Sequence, residues 1–412
     1  MPHSRFEAAL ARDVDTLTAT GRSKGVELEI TGFIPATGDR GPRCRLAGHQ
    51  NREFLKMNSN GYLGMANRPD VIAAEEQATR DFGAGPGAVR FISGTYAPHL
   101  ELERRLASFH GREAGMIFSS AYATIVGILS PLITSETAVV SDELNHNCII
   151  NAMRLSRPKT KKIYRHSDPN DLRRKISETV GQAERVIVVT DGVFSMRGDW
   201  APLPEIMALA HRFDGDFNEN VVVLVDDSHG VGAFGSTGRG TEEATGSEPA
   251  DILVGTLGKA LGVNGGYVVG GAKLIRFLRE TAPLYIYSNP ITPGEAAAAR
   301  KALEILDNDE GLRLLSHLRE MTARFEKGLV ELGFETIPGG HPVVPLMVRD
   351  TEKTSALVRH LFDNGILATG LNYPVVPQGD EEIRFQISAA HTPFDIDSAL
   401  EALAAFSRKE GT

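Results

Sequence analysis

Cysteine, tryptophan, long apolar runs and excess positive charge are scarce or missing in this chain, and each absence removes a class of protein. Only two cysteines, Cys44 and Cys148, occur in 412 residues. They are too few for a disulfide framework, and neither stands in a Cys-x-x-Cys or other metal-ligand spacing. Such usage suits a reducing cytoplasm. No stretch approaches the roughly 20 consecutive apolar residues of a membrane-spanning helix. The formal net charge of −9 argues against a nucleic-acid surface, while leaving room for a local basic patch. No internal repeat or low-complexity segment is present, and the single tryptophan, Trp200, reads as packing. Near the start, Phe6, Ala9, Leu10, Val14 and Leu17 recur at helical spacing, but Glu7, Asp13 and Asp15 make the segment too acidic for a targeting peptide.

What remains is an ordinary globular composition, 42% hydrophobic and 24% charged, on a chain long enough for two domains. Val186-Ile187-Val188-Val189, Val221-Val222-Val223-Leu224-Val225 and Ile252-Leu253-Val254 are apolar runs without alternation, the pattern of parallel strands buried on both faces. Chemistry follows each run. The first leads to Thr190-Asp191-Gly192-Val193-Phe194-Ser195-Met196, the second to Asp226-Asp227-Ser228-His229-Gly230. The third leads to Gly255-Thr256-Leu257-Gly258-Lys259-Ala260-Leu261-Gly262. Ligands of open α/β sheets bind beyond the carboxyl ends of the strands, so Asp226, His229 and Lys259 fall on one rim. Glycines around Lys259 let ligand atoms approach the backbone, and desolvation favours the neutral form of such an amine, a usable nucleophile or base. A buried carboxylate at Asp226 needs a cationic or hydrogen-bonded partner.

Further signals lie upstream. Ser119-Ser120-Ala121-Tyr122-Ala123 precedes the apolar run Ile125–Leu129, so small residues open a helix whose free amides attract phosphate. His146 follows the strand-like run Ala138-Val139-Val140 and has no companions at metal-ligand spacing. His99 reads as a structural cap at a helix start. Gly83-Ala84-Gly85-Pro86-Gly87 is not a dinucleotide fingerprint, because Pro86 interrupts it and no strand precedes it. Val343–Met347, Ile366–Thr369 and Ile383–Ser388 read as strands alternating with helices, and the last helix starts with Thr392 as N-cap, Pro393 at N1 and Asp395 at N3. The Gly/Pro/Arg-rich connection from Thr31 to Arg52 carries no structural assignment.

The three strand-end motifs together resemble the signatures of the α-oxoamine synthases, pyridoxal 5'-phosphate enzymes that condense an amino acid with an acyl-CoA. The likeness runs from about Phe54 to the C-terminal helix. It implies an α/β, fold-type I transferase of the aspartate-aminotransferase kind, with a large, mostly parallel sheet domain and a smaller α+β C-terminal domain. The expected division is an N-terminal helix and connection over 1–55, a cofactor-binding domain over 56–293 and a small domain over 294–412. Within the family the glycine C-acetyltransferases, or 2-amino-3-ketobutyrate CoA ligases, are the most similar branch. That branch implies glycine and acetyl-CoA as substrates of a cytoplasmic homodimer with shared active sites, without nucleic acid, membrane or metal. An 8-amino-7-oxononanoate synthase, a 5-aminolevulinate synthase, a synthase with an unusual acyl donor and an aminotransferase of the same fold stay open.

The same resemblance assigns roles. Lys259 would carry the cofactor as a Schiff base and act as base on the α-proton. Asp226 would meet the pyridine nitrogen, His229 the phenolic oxygen, and His146 the ring face. The backbone of Ala121 and Tyr122, with Thr256, would hold the phosphate. The family often has glycine, serine or cysteine where Ala121 stands, a change that a backbone contact tolerates. Ser195 would bond a ring substituent or His229, and Ser288 with Asn289 would reach the phosphate of the neighbouring subunit. Asn60, Val89, Phe91 and Arg384 would contact substrate, Val89 and Phe91 at the acyl tail and Arg384 at the amino-acid carboxylate. Val89, Phe91 and the stretch Asn372–Pro377 favour the acetyltransferase branch, whereas the connection Thr31–Arg52 fits it less well.

Overall fold

The structure, a computed structural model, describes residues 3–20, 22–23, 27–49, 52–373 and 376–410. Gln50 and Asn51 of the N-terminal connection, and Pro374 and Val375 of the Asn372–Pro377 stretch, lie outside the described residues. Along the chain the strands are β1 (Ile30–Ile34), β2 (Arg43–Leu46), β3 (Leu55–Lys56), β4 (Ala114–Phe118), β5 (Thr137–Asp142), β6 (Thr160–Tyr164), β7 (Arg185–Asp191) and β8 (Val221–Asp226). They continue with β9 (Ile252–Thr256), β10 (Gly266–Gly270), β11 (Glu335–Thr336), β12 (Val343–Met347), β13 (Ile366–Leu367), β14 (Thr369–Leu371) and β15 (Glu382–Gln386). The first helices are α1 (Ser4–Ala19), α2 (Pro69–Phe82), α3 (Ala97–Phe109), α4 (Ala121–Leu132) and α5 (Asn147–Leu155).

Residues 60–319 form one compact unit, and residues 1–59 with 320–412 form the other. This differs from the expected division at both boundaries. β3 pairs in parallel with β13, and Cys44 bridges Phe54, so the N-terminal connection belongs with the C-terminal part. The helix Pro293–Leu306 belongs with the large unit because its alanine face, Ala296, Ala298, Ala299 and Ala302, is fully buried, and small side chains let it pack closely on α2 and α3.

The large unit is built on a seven-stranded sheet in the order β4-β10-β9-β8-β7-β5-β6. β10 runs antiparallel to both neighbours, and the other pairings are parallel. Apolar runs form its central strands because both faces are covered. On one face Ile125, Ile128 and Leu129 of α4 and Ile149 of α5 pack on Val189, Leu224, Val254 and Val268. His99 caps α3 as expected: its Nδ1 accepts from the Tyr96 backbone N–H at 3.1 Å, and its Nε2 lies 2.8 Å from the Ile291 carbonyl.

The other unit holds a four-stranded antiparallel sheet, β11-β12-β15-β14, and a β1–β2 pair. Thr31–Arg52, left unassigned above, therefore contains sheet, with a register shift between Ile30 and Gly32. The last helix, Pro393–Glu410, begins at a reciprocal cap. The Asp395 N–H donates to Thr392 Oγ1 at 3.2 Å, and the Thr392 N–H donates to Asp395 Oδ2 at 2.9 Å. Arg43 and the Gly41 N–H also bind Asp395, at 2.5 and 3.0 Å. Within the described residues, no helix is long and apolar enough to cross a membrane.

Candidate active site

Three strands of the large sheet end in aspartate, β5 at Asp142, β7 at Asp191 and β8 at Asp226, and β9 ends at Thr256. Beyond these ends lies a cavity of about 180 Å³ lined by Ala121, Tyr122, His146, Cys148, Asp191, Val193, Ser195, Asp226, Ser228, His229, Thr256 and Lys259. Eight of the residues singled out from sequence meet here: Ala121, Tyr122, His146, Ser195, Asp226, His229, Thr256 and Lys259.

Asp226 is 6% exposed; its Oδ1 accepts from the Ser228 N–H at 3.2 Å, and Cys148 Sγ lies 3.6 Å from its Oδ2. Burial, and then the charge of Asp226, push the Cys148 thiol well above its ordinary range, so this cysteine stays protonated. His229 Nδ1 lies 2.7 Å from the hydroxyl of Tyr62, a fully buried residue whose hydroxyl is 3.5 Å from Asn60 Oδ1. His146 caps α5, its Nδ1 accepting from the Cys148 N–H at 3.3 Å. His146 is exposed. The pocket wall nonetheless removes enough water to lower its pKa; Asp226 opposes that shift, and Lys259 adds to it.

At the other side of the cavity α4 begins. Its N-cap Ser120 accepts from the Ala123 N–H at 3.0 Å, and the preceding amides of Ala121 and Tyr122 are first-turn donors that an α-helix leaves without an intrahelical acceptor. Gly266 of β10 lies directly against Ala121: a Cβ there would overlap the Ala121 backbone. Thr256 Oγ1 accepts from the Gly258 N–H at 3.1 Å, which shapes the turn into Lys259. Lys259 itself is half-buried.

Other candidates lie elsewhere. Phe91 is 68% exposed and lines a separate cavity of about 420 Å³ with Arg90, Thr95, Arg279, Tyr285 and Tyr287. The Val89 carbonyl closes the neighbouring turn by accepting from the Ile92 and Gly94 N–H groups at 3.2 and 3.0 Å. Asn289 is exposed, and Ser288 Oγ donates to its carbonyl at 3.4 Å. Arg384 lies on β15 of the other unit; with the Gln386 amide oxygen turned toward it, its Nε and Nη2 donate at 2.6 and 2.9 Å.

Asp191, Cys148, Ser228 and Tyr62 received no role from sequence. Asp191 and Ser228 were within reach, since each stands inside a motif already singled out, Asp191 at a strand end. Nothing local marks Cys148.

A buried sheet rim bearing a half-buried lysine, a buried carboxylate and a helix amino terminus defines a fold-type I pyridoxal-phosphate transferase. The chain belongs to the aminotransferase class I and II family, which it matches over residues 52–403, and within it to the α-oxoamine synthases. It is 40% identical over 362 residues to an 8-amino-7-oxononanoate synthase of Thermosipho melanesiensis, covering 87% of this chain and 90% of that one. It is also 40% identical over 377 residues to the mitochondrial 2-amino-3-ketobutyrate coenzyme A ligase of Homo sapiens, covering 91% and 87%. Among solved structures, the Sphingomonas wittichii serine palmitoyltransferase superposes with a TM-score of 0.86 at 27% identity, over 99% of this chain and 98% of that one. A structure titled SPT with PLP superposes with a TM-score of 0.86 at 28% identity over the full length of both chains.

The cofactor is pyridoxal 5'-phosphate, and the residues present fit it. The α4 amides offer donors for a phosphate, Asp226 offers a carboxylate for a ring nitrogen, and Lys259 offers an amine. The buried Ser228 hydroxyl has no hydrogen-bond partner among the described residues, as expected of a site that takes a polar guest.

Proposed function

We propose that this protein condenses glycine with a short acyl-CoA, acetyl-CoA first, and releases CoA, working in the cytoplasm as a homodimer with shared active sites. The alignment with the human 2-amino-3-ketobutyrate coenzyme A ligase carries this reading, because it spans 377 residues at an identity equal to that of the Thermosipho 8-amino-7-oxononanoate synthase over 362. Val89 and Phe91 support the same branch. A second reading, a longer acyl donor of the 8-amino-7-oxononanoate synthase kind, is favoured by the several relatives of that name at 38–41% identity.

When bound, pyridoxal phosphate supplies an electron sink for the bonds at the amino acid's α-carbon. Each residue then has a task. Lys259 would hold the cofactor through its amine and, when free, would take the α-proton on Nζ. Asp226 keeps the ring nitrogen protonated, which its buried setting strengthens because few waters compete for the charge. His229, held by Tyr62, donates to the ring oxygen. His146 covers one ring face and keeps water off it. The Ala121 and Tyr122 amides and the Thr256 hydroxyl bind the phosphate, joined by Ser288 and Asn289 of the neighbouring copy, and Ser195 bonds the ring edge. Asn60 contacts the substrate, Val89 and Phe91 the acyl tail. The amino-acid carboxylate is assigned to Arg384 on sequence resemblance.

The test is a thiol-release assay of glycine, alanine and serine against acetyl-, succinyl-, pimeloyl- and palmitoyl-CoA. Turnover should be highest with glycine and acetyl-CoA. A rate rising from acetyl- to pimeloyl-CoA would establish the second reading instead, and amino transfer without thiol release would exclude both.

A further inference from the structure

Asp191 is a buried titratable group that the reaction above leaves without a task. It stands directly beside Asp226, the two residues being in-register partners of the parallel strands β7 and β8. Side chains of in-register neighbours project from the same face of a sheet, and both line the Lys259 cavity. Asp191 is 4% exposed. Its Oδ2 accepts from the His146 backbone N–H at 3.0 Å, while its Oδ1 is buried with no hydrogen-bond partner among the described residues.

The surroundings hold this carboxyl in place. The Asp191 N–H donates to Asn145 Oδ1 at 2.8 Å, and Asn145 Nδ2 donates to the Val189 carbonyl and to Ser141 Oγ, each at 2.8 Å. Asn145 thus ties the ends of β5 and β7 together immediately before His146. The charged or titratable groups facing Asp191 are Asp226, Lys259, Asp142, Cys148, Tyr164 and the His146 segment. Two carboxylates on neighbouring strand ends in a dry site cannot both ionise cheaply, and one of them holds a proton. Asp226 has the Ser228 N–H on one oxygen and the Cys148 thiol on the other, whereas Asp191 Oδ1 has no hydrogen-bond partner among the described residues. Burial first, and then the neighbouring Asp226, raise the Asp191 carboxyl well above the ordinary range, in the same sense.

We propose that Asp191 is a positioning residue that works as a neutral carboxylic acid: one oxygen fixes the His146 amide against the cofactor site, the other carries a proton, and Asp226 is left as the single carboxylate there. This rests on the assignment of Asp226 to the cofactor's ring nitrogen. Asparagine copies such an acid, keeping an oxygen for the His146 N–H and a neutral donor on the other arm; alanine copies neither.

The experiment compares Asp191→Asn, Asp191→Ala and Asp226→Asn holoenzymes, with pyridoxal-phosphate dissociation constants from equilibrium dialysis. Visible absorbance and circular dichroism of the bound cofactor are recorded between about pH 6 and 9. Asp191→Asn should bind within about threefold of the native protein, with unchanged spectra and pH profile, because no charge has been removed. Asp191→Ala should bind about tenfold more weakly or worse and lose cofactor dichroism, because the His146 amide is released. A tenfold or greater loss in Asp191→Asn, of the size seen in Asp226→Asn, would overturn the neutral-acid role while leaving the assignment of Asp226 standing. Native affinity in Asp226→Asn would overturn that assignment and this inference with it. Should Asp191→Ala fail to fold, the asparagine variant decides alone.

Discussion

Replacing Asp227 with asparagine should stabilise the fold in mild alkali relative to mild acid, and the structure sets the size of the effect. Asp227 follows Asp226 and is fully buried. Gly192, Gly230 and Gly240 make room for its carboxyl, since a Cβ at any of the three would overlap it. Oδ2 accepts from the Thr241 N–H at 2.7 Å and Oδ1 from the Thr241 hydroxyl at 2.6 Å. Burial outweighs these two bonds and pushes the carboxyl up to about 7.

A carboxyl with a raised folded-state pKa keeps its proton in the fold after the unfolded chain has lost it. Stability therefore falls as pH rises from about 4 to about 7 and is level above that. Between pH 5.5 and 8 about 1.5 pH units of this slope are crossed, a loss of about 2 kcal/mol. Asparagine titrates nowhere in this range. Its oxygen accepts from the Thr241 N–H, and its NH₂ donates to the Thr241 hydroxyl, whose own proton turns away, so it mimics the neutral acid. With an unfolding entropy of about 0.9 kcal/mol/K for a chain this long, the Tm of Asp227→Asn minus that of the native protein should rise by about 2–3 °C from pH 5.5 to pH 8. Contributions from every other group, and from the cofactor, cancel in the difference. Scanning calorimetry of both proteins at the two pH values measures it. A difference that stays constant or falls would mean that Asp227 is ionised throughout, and the burial argument fails.

His166 makes the opposite case. Its Nδ1 and Nε2 lie 3.1 and 3.2 Å from Asp142 and Asp199, which joins the loops carrying His146 and Ser195. Burial opposes its charge, but hydrogen bonds to the two carboxylates prevail and raise the imidazole to about 9. Its stabilisation is complete below about 6.5 and is lost as pH rises through 9, so His166→Gln should narrow the native drop in Tm between pH 7 and 9.5; an unchanged drop would exclude the bridge as its source. Gly266→Ala should weaken pyridoxal-phosphate binding by about tenfold or more, read by dialysis, because the added methyl displaces the Ala121 backbone at the start of α4; native affinity would show that this backbone does not hold the phosphate. Borohydride reduction of the holoenzyme followed by peptide mapping should place the modified residue at Lys259, and modification of any other lysine would refute its role. Mixing inactive Lys259→Ala with a Ser288→Ala/Asn289→Ala variant should restore part of the activity through hybrid dimers, and silent, verified heterodimers would rule out shared sites.

Much of this architecture follows from short-range information. Val186–Val189, Val221–Val225 and Ile252–Val254 are apolar without alternation, which only a strand covered on both faces tolerates, and all three became central parallel strands. Thr392, Pro393 and Asp395 announced the last helix because a cap is a local hydrogen-bonding problem, solved within a few residues. Eight of the site residues converged for a similar reason: each stands just past the end of a strand or at the start of a helix on the rim of one sheet.

Pairing over long sequence distances was not written locally. The segment after Thr31 has weak strand character, and it becomes sheet because β1 and β2 find each other while β3 pairs with β13, more than 300 residues away. The unit boundary moved because the alanine face of Pro293–Leu306 gains its burial against α2 and α3. Asp191 acquired its meaning from register: a strand end reveals that a carboxyl sits on the rim, whereas its place beside Asp226, with one oxygen on the His146 amide, depends on how β7 aligns with β8. Tyr62 reaches His229 across 167 positions of sequence. Propensity, capping and hydrophobic period act over a few residues, so the chain by itself determines which elements form and which chemistry they carry at their ends. Register and burial are properties of the packed whole, and they decide which of those groups meet and in which protonation state.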